Sequence, residues 1–254
     1  LGNQMFQYAC AYALARKHNT NIGISSTDLY RSAGSNQLIE TFELANAIID
    51  KFENIKYTFE EVGFEYDPRI ELILDGTDIR GYFQSERYFS HIRNELINCE
   101  FKFKSNIDTR VNSIWSSYFE GASVCSIHIR CGDYKRLADT HYNLGIEYYS
   151  KALSLVPKCD LYAVFSDDLI LASDLISSIS GSPIGKFIYP DFDYGESLSL
   201  MSRCDHHIIA NSSYSWWGSW LSRNTGTTIA PKNWFGPAGP KSWNSIYCKK
   251  WIVI

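Results

Sequence analysis

Ser123-Val-Cys-Ser-Ile-His-Ile-Arg-Cys-Gly-Asp-Tyr-Lys135 decides how this chain is read. Residues 123–127 are a short apolar run of the kind that forms a buried strand, so His128, Arg130 and Asp133 arrive where a strand stops and a loop begins. That edge is where open α/β sheets hold ligands. An arginine fork there matches two phosphate oxygens at once, and Gly132 lets the backbone turn tightly against a bound group. The same residues also read as an Arg-Asp ion pair that ties a loop to the sheet.

Beyond this stretch, apolar runs of strand length alternate with helical periodicity. The strands are Leu161-Tyr-Ala-Val-Phe165, 186–189, 206–210 and 227–230, and the helices between them are 146–156, one opening at Ser166-Asp167-Asp168, 196–204 and 215–221. Such alternation predicts parallel strands joined by right-handed crossovers, hence a nucleotide-binding α/β domain over 122–254. A helix over 106–121 that closes on Gly121 marks the boundary with a first domain, 1–121. There the pattern predicts a helix from the Gly2 turn to His18, a strand at 21–25, a strand at 78–83 and a helix at 88–98.

Polar residues gather at the predicted strand ends. Asp167 and Asp168 suit ribose hydroxyls or a purine edge, or simply cap the next helix. Two adjacent acids raise a divalent metal, but no histidine or third acid stands near them in sequence, and no metal is expected. Asn211, Ser212, Ser213 and Ser215 crowd an amide and hydroxyls at a helix start, an arrangement suited to phosphate oxygens, or a serine-capped helix with Trp216, Trp217 and Trp220 in the core.

Composition excludes several classes. The chain has 254 residues, 45% hydrophobic and 20% charged, with a formal net charge of −4. Its pI is near 5.9 and its mean hydropathy is −0.21, so electrostatics make no case for nucleic acid or anionic membrane as partner. No apolar run approaches the roughly 18 residues of a spanning helix and no signal peptide is visible. Seven cysteines without C-x-x-C spacing suit thiols of a reducing, cytoplasmic compartment better than disulfides or a zinc site.

Seven blocks carry a resemblance. Gly2-Asn-Gln-Met-Phe-Gln-Tyr-Ala9, Gly81-Tyr-Phe-Gln-Ser85, His128-Ile-Arg-Cys-Gly-Asp-Tyr134, Phe165-Ser-Asp-Asp168, Leu200-Met-Ser202, Ile208-Ile-Ala-Asn-Ser-Ser-Tyr-Ser-Trp-Trp-Gly218 and Ala230-Pro-Lys-Asn-Trp-Phe235 resemble, in order, those of the bacterial-type α-1,2-fucosyltransferases, glycosyltransferase family 11. The resemblance implies a GT-B-like α/β fold of two Rossmann-type lobes. Residues 1–121 would be the acceptor-side domain and 122–254 the domain whose parallel sheet holds the GDP-sugar.

It also implies an inverting transfer of L-fucose from GDP-β-L-fucose to the 2-hydroxyl of a galactose, without metal or other cofactor. The acceptor would be a galactose-containing oligosaccharide or lipid-linked glycan in surface-polysaccharide assembly, with the enzyme in the cytoplasm or peripheral at the inner face of the membrane. Carried over by position, Arg130 binds the diphosphate, His128 contacts the nucleotide, Asp133 orders its loop, and Asn3 and Gln4 face the donor. Asp167, Asp168, Glu196, Asn211, Ser212, Ser213 and Ser215 complete the donor set. A fixed cation must take the charge that develops on departing GDP, the role of Arg130, while Asp133, Asp139 and His141 are candidates for the base.

Three departures from the pattern count against full activity. Cys131 replaces a second arginine. Ser197 stands where an acidic partner for guanine is expected, with Glu196 beside it. An apolar strand and a further glycine that family members carry ahead of Leu1 are missing. They motivate two other readings: a transferase of another sugar nucleotide, and a carbohydrate- or nucleotide-binding module without catalysis.

Overall fold

The computed structural model describes residues 1–24, 37–45, 55–131, 139–179 and 185–254. They fall into two compact units, 1–104 with 242–248, and 105–241 with 249–254.

In the first unit, α1 (Gly2–His18) buries Met5, Phe6, Tyr8, Ala9 and Tyr12 and ends at Asn19, whose φ of 52° is a left-handed cap. Tyr8 donates to the buried Glu100, and Tyr12 to Glu95 at 2.6 Å. Strands β1 (Tyr57–Glu60) and β2 (Thr77–Arg80) pair in parallel. The strand expected over 78–83 stops at Arg80 because Phe83 adopts a φ of 52°, a conformation that costs a large side chain roughly 1–3 kcal/mol. The helix expected over 88–98 is broken into short turns and ends in a wide one, where the Phe101 N–H reaches back to Leu96 O at 2.7 Å. Of the strand expected at 21–25, the described residues show one bridge, at Ile22.

The second unit opens with α2 (Ser105–Tyr118). Its sheet contains β3 (Val124–Ile129), β4 (Leu161–Ser166), β5 (Lys186–Ile188), β6 (His206–Ile208), β7 (Thr228–Ala230) and β8 (Ile252–Val253), arranged β5-β4-β3-β6-β7-β8. Every neighbouring pair is parallel. Counted from β3 the order is 3-2-1-4-5-6, the doubly wound arrangement, and it reverses between β3 and β6. All of β3 is buried, as a central parallel strand covered on both faces must be.

The crossovers are α3 (Ile146–Leu155), α4 (Leu169–Ser177), α5 (Tyr194–Arg203) and α6 (Ser213–Trp220). Ile127, Ile129, Val164, Ile208 and Ile229 pack with Ala152, Leu153, Ala172 and Ile176 of α3 and α4 in one core cluster. The N-terminus of α4 is capped by Asp168, that of α5 by Asp193 and that of α6 by Ser212, each cap contributing about 1 kcal/mol. Trp216 and Trp217 are fully buried, with ring centroids 5.0 Å apart, as the core reading of the tryptophans expects. Gly218 lets α5 and α6 touch: a Cβ there would meet Met201 Sδ at 2.3 Å.

Helix α2, which the sequence assigns to the first domain, packs with α5 instead. Arg203 reaches Asn112 at 2.6 Å and Asp108 at 3.2 Å, and Arg110 reaches Glu196 at 2.9 Å.

Candidate active site

The reversal between β3 and β6 places three strand ends side by side. β3 delivers His128 and Arg130, β4 delivers Asp167, and β6 leads through Asn211 into the N-terminus of α6. Asp167 Oδ2 lies 3.4 Å from Arg130 Nη1, and its Oδ1 accepts from the Cys131 N–H at 2.9 Å. The carboxylate therefore braces the arginine and the strand end together. Asp168 turns away to cap α4, accepting from Leu171 N at 3.0 Å.

His128 is buried, and its Nδ1 has no hydrogen-bond partner among the described residues. Burial, reinforced by the Arg130 charge, pushes its pKa from 6.5 down to about 4, so the ring is neutral at pH 7. The ring of Tyr214 lies 5.8 Å from it, and Tyr214 Oη donates to Tyr194 O at 2.5 Å, tying the histidine's neighbour to the start of α5. From α3, Tyr149 donates to His128 O at 3.1 Å and Tyr148 to Ile209 O at 2.6 Å. The helical periodicity over 146–156 gives no sign that both hydroxyls fasten strand ends. Tyr214 lies inside the quoted Asn211 block, where only its neighbours stand out from sequence.

Asn211 acts as a clamp. Its amide donates to Tyr142 O and to Trp234 O, both at 2.8 Å, so two loops converge on the end of β6. The loop at 139–142 is further held by the antiparallel bridge between His141 and Phe235 and by Ala238 N donating to Asp139 O at 2.6 Å. His141 is half-buried and Asp139 exposed. Ser212 caps α6 by accepting from Tyr214 N at 3.3 Å, with the half-buried Ser213 next to it. Ser215 is not presented to a ligand: it is fully buried, and its hydroxyl lies 3.4 Å from both Ala210 O and Ser212 O.

Glu196, read from sequence as a partner for guanine, is buried and ion-paired with Arg110. Asn3 and Gln4 belong to the first unit, where Asn3 Oδ1 accepts from Gln84 Nε2 at 2.8 Å and Gln4 is buried. Asp133 lies outside the described residues. Among the described residues, no group of three or more His, Cys, Asp or Glu side chains is placed to hold a metal ion, and no helix is long and apolar enough to cross a membrane. The cysteines are free thiols, Cys99 exposed, Cys131 half-buried and the others buried.

A doubly wound sheet with an arginine-bearing strand end at its reversal point, in a two-unit α/β chain, defines a GT-B-like protein. The chain belongs to glycosyl transferase family 11, which matches it over residues 1–254. It is 29% identical to the alpha-1,2-colitosyltransferase of Escherichia coli, over all of this chain and 96% of that one. To the O-antigen biosynthesis glycosyltransferase WbnK of Escherichia coli it is 27% identical, over 92% of each chain. The fold resembles that of NodZ alpha-1,6-fucosyltransferase soaked with GDP-fucose, with a TM-score of 0.51 and 17% identity over 87% of this chain and 89% of that one.

Proposed function

We propose that the chain moves L-fucose from GDP-β-L-fucose to the 2-hydroxyl of a terminal galactose, forming an α-1,2 linkage. The observation that carries this reading is the Arg130 guanidinium at the end of β3, beside the reversal of the sheet, in a chain of this family. In the transfer the acceptor oxygen attacks the anomeric carbon as the bond from that carbon to the β-phosphate oxygen breaks, so the β-linked donor gives an α-linked product. The bonding pair leaves on GDP, where Arg130 meets the new charge in place of a metal ion. The acceptor's proton passes to a base for which Asp133, Asp139 and His141 are the candidates.

His128, neutral and buried behind Arg130, supports the nucleotide end of the site, while Asp167 braces the arginine. Ser212 and Ser213 stand at the positive end of α6, suited to phosphate oxygens. The second unit, 105–241 with 249–254, takes the donor and the first, 1–104 with 242–248, the acceptor. The acceptor belongs to surface-polysaccharide assembly, and the enzyme works in the cytoplasm at the inner face of the membrane, consistent with the O-antigen role in the name of one relative.

Incubation with GDP-fucose and lactose, read by mass spectrometry, tests the reading: a fucosylated trisaccharide that forms equally well with EDTA supports it. Loss of turnover on chelation refutes the metal-free step. Binding without product favours a non-catalytic module.

A second donor is favoured by one observation, the likeness to a colitosyltransferase. Colitose is fucose without its 3-hydroxyl, so competition between GDP-fucose and GDP-colitose separates the two. Preference for the deoxy sugar would transfer the assignment to colitose.

A further inference from the structure

The block Gly81-Tyr-Phe-Gln-Ser85 lies wholly in the first unit. It is a turn held at nearly every residue. A Cβ at Gly81 would come within 2.5 Å of Glu61 Cβ, which leaves room only for glycine. Glu61 Oε2 accepts from Tyr82 N at 2.8 Å and Phe83 N at 2.9 Å, while its Oε1 accepts from Tyr88 Oη at 2.9 Å.

Phe83 takes up the left-handed backbone with its ring fully buried, 5.5 Å from Tyr88 in an edge-on contact. Turning Phe83 inward throws Tyr82 outward: Tyr82 is 51% exposed, its ring 5.9 Å from Phe64. From α1, the exposed Asn3 and Gln7, four residues apart, reach the same turn. Gln84 Nε2 donates to Asn3 Oδ1 at 2.8 Å, and Gln7 Nε2 donates to Gly81 O at 2.9 Å.

Strained, pinned backbone that displays an exposed aromatic ring, one residue along the chain from a carbonyl held by a planar amide, has the chemistry of a sugar subsite. The C–H face of a galactose is apolar enough to stack on a ring, and its hydroxyls pair with carboxamides. We infer that the 81–84 turn is an acceptor-sugar subsite, with Tyr82 as the stacking platform and the Gln7 carboxamide as a hydroxyl partner. The inference rests on the proposed galactoside acceptor but not on the donor.

Lactose is the probe, titrated by calorimetry into the full chain and into Tyr82→Ala and Tyr82→Phe, with GDP titrations and thermal melts as controls. Tyr82→Ala weakens lactose about tenfold, the upper range for one aromatic contact. Tyr82→Phe keeps lactose affinity within about twofold, and both variants keep GDP affinity and melting temperature. Equal lactose affinity in Tyr82→Ala and the native chain overturns the subsite, as does a folded native chain that binds no lactose. Lactose that binds through Tyr82 in a chain unable to use GDP-fucose refutes the donor assignment alone.

Discussion

Asp167 grips the end of β3 twice, with one oxygen 3.4 Å from Arg130 Nη1 and the other accepting from the Cys131 N–H at 2.9 Å. The arginine is thus aimed before any phosphate arrives, and its fork is the feature a lysine cannot copy. Arg130→Lys is expected to lower kcat by roughly 10²–10³ while the melting temperature stays within a few degrees, since the replaced side chain is partly exposed. Steady-state kinetics beside thermal melts check this, and native turnover in the variant removes Arg130 from the leaving group.

Asp167 also screens the charge it braces. Asp167→Asn leaves an oxygen for the Cys131 N–H but removes the negative charge facing the guanidinium. GDP is therefore expected to bind roughly three- to tenfold more tightly at low salt, with the gain shrinking as ionic strength rises. Calorimetry at two salt concentrations reads it. Weaker GDP binding would mean that Asp167 holds the ribose, the role the sequence suggests.

The second unit was legible in the sequence because its strands are short apolar runs and its helices are spaced by capping residues such as Asp168 and Ser212. Hydrophobic period and cap chemistry are local, so they survive without coordinates. The first unit was less so. A left-handed Phe83 ends a strand that the pattern extends, and the wide turn at Leu96–Glu100 interrupts a helix whose periodicity looks continuous. Side-chain engagement was the least legible of all. Nothing in the order Asn211-Ser-Ser-Tyr-Ser215 says that the amide clamps Tyr142 and Trp234, that Ser215 is sealed in, or that Tyr214 lies against His128, because each partner is distant in sequence.

The Asn211 clamp gives a stability prediction. Asn211→Ala strips the donor from two carbonyls at the end of β6, Tyr142 O and Trp234 O, with Asn211 itself buried. The contact to Trp234 O is buried and its loss costs about 1–3 kcal/mol, whereas Tyr142 is exposed and water replaces the donor there, so a loss of roughly 1–3 kcal/mol is expected in urea unfolding. The loop carrying Asp139 and His141 loses one of its ties with it, so activity falls further than stability alone explains. Native stability in this variant would show that the two loops hold without the clamp.

Two buried histidines set the acid limit of the second unit. Burial pushes His128 down to about 4 and His207 down to about 3, and His207 Nδ1 lies 2.8 Å from Ser126 Oγ deep in the sheet. Unfolded, both would titrate near 6.5, so between that value and their folded ones the unfolded chain binds more protons. Their stabilising contribution is therefore complete above about pH 6.5 and is lost as pH falls toward 4, by up to about 1.4 kcal/mol per pH unit for each ring. Urea unfolding at intervals from pH 7.5 to 4.5 should show stability falling steadily with acid. His207→Asn, which keeps a polar partner for Ser126 but cannot titrate, should flatten that slope by about one proton's worth while His128 keeps the remainder. An unchanged slope in the variant would mean that water reaches His207 and that its imidazole charges in place, without unfolding the sheet.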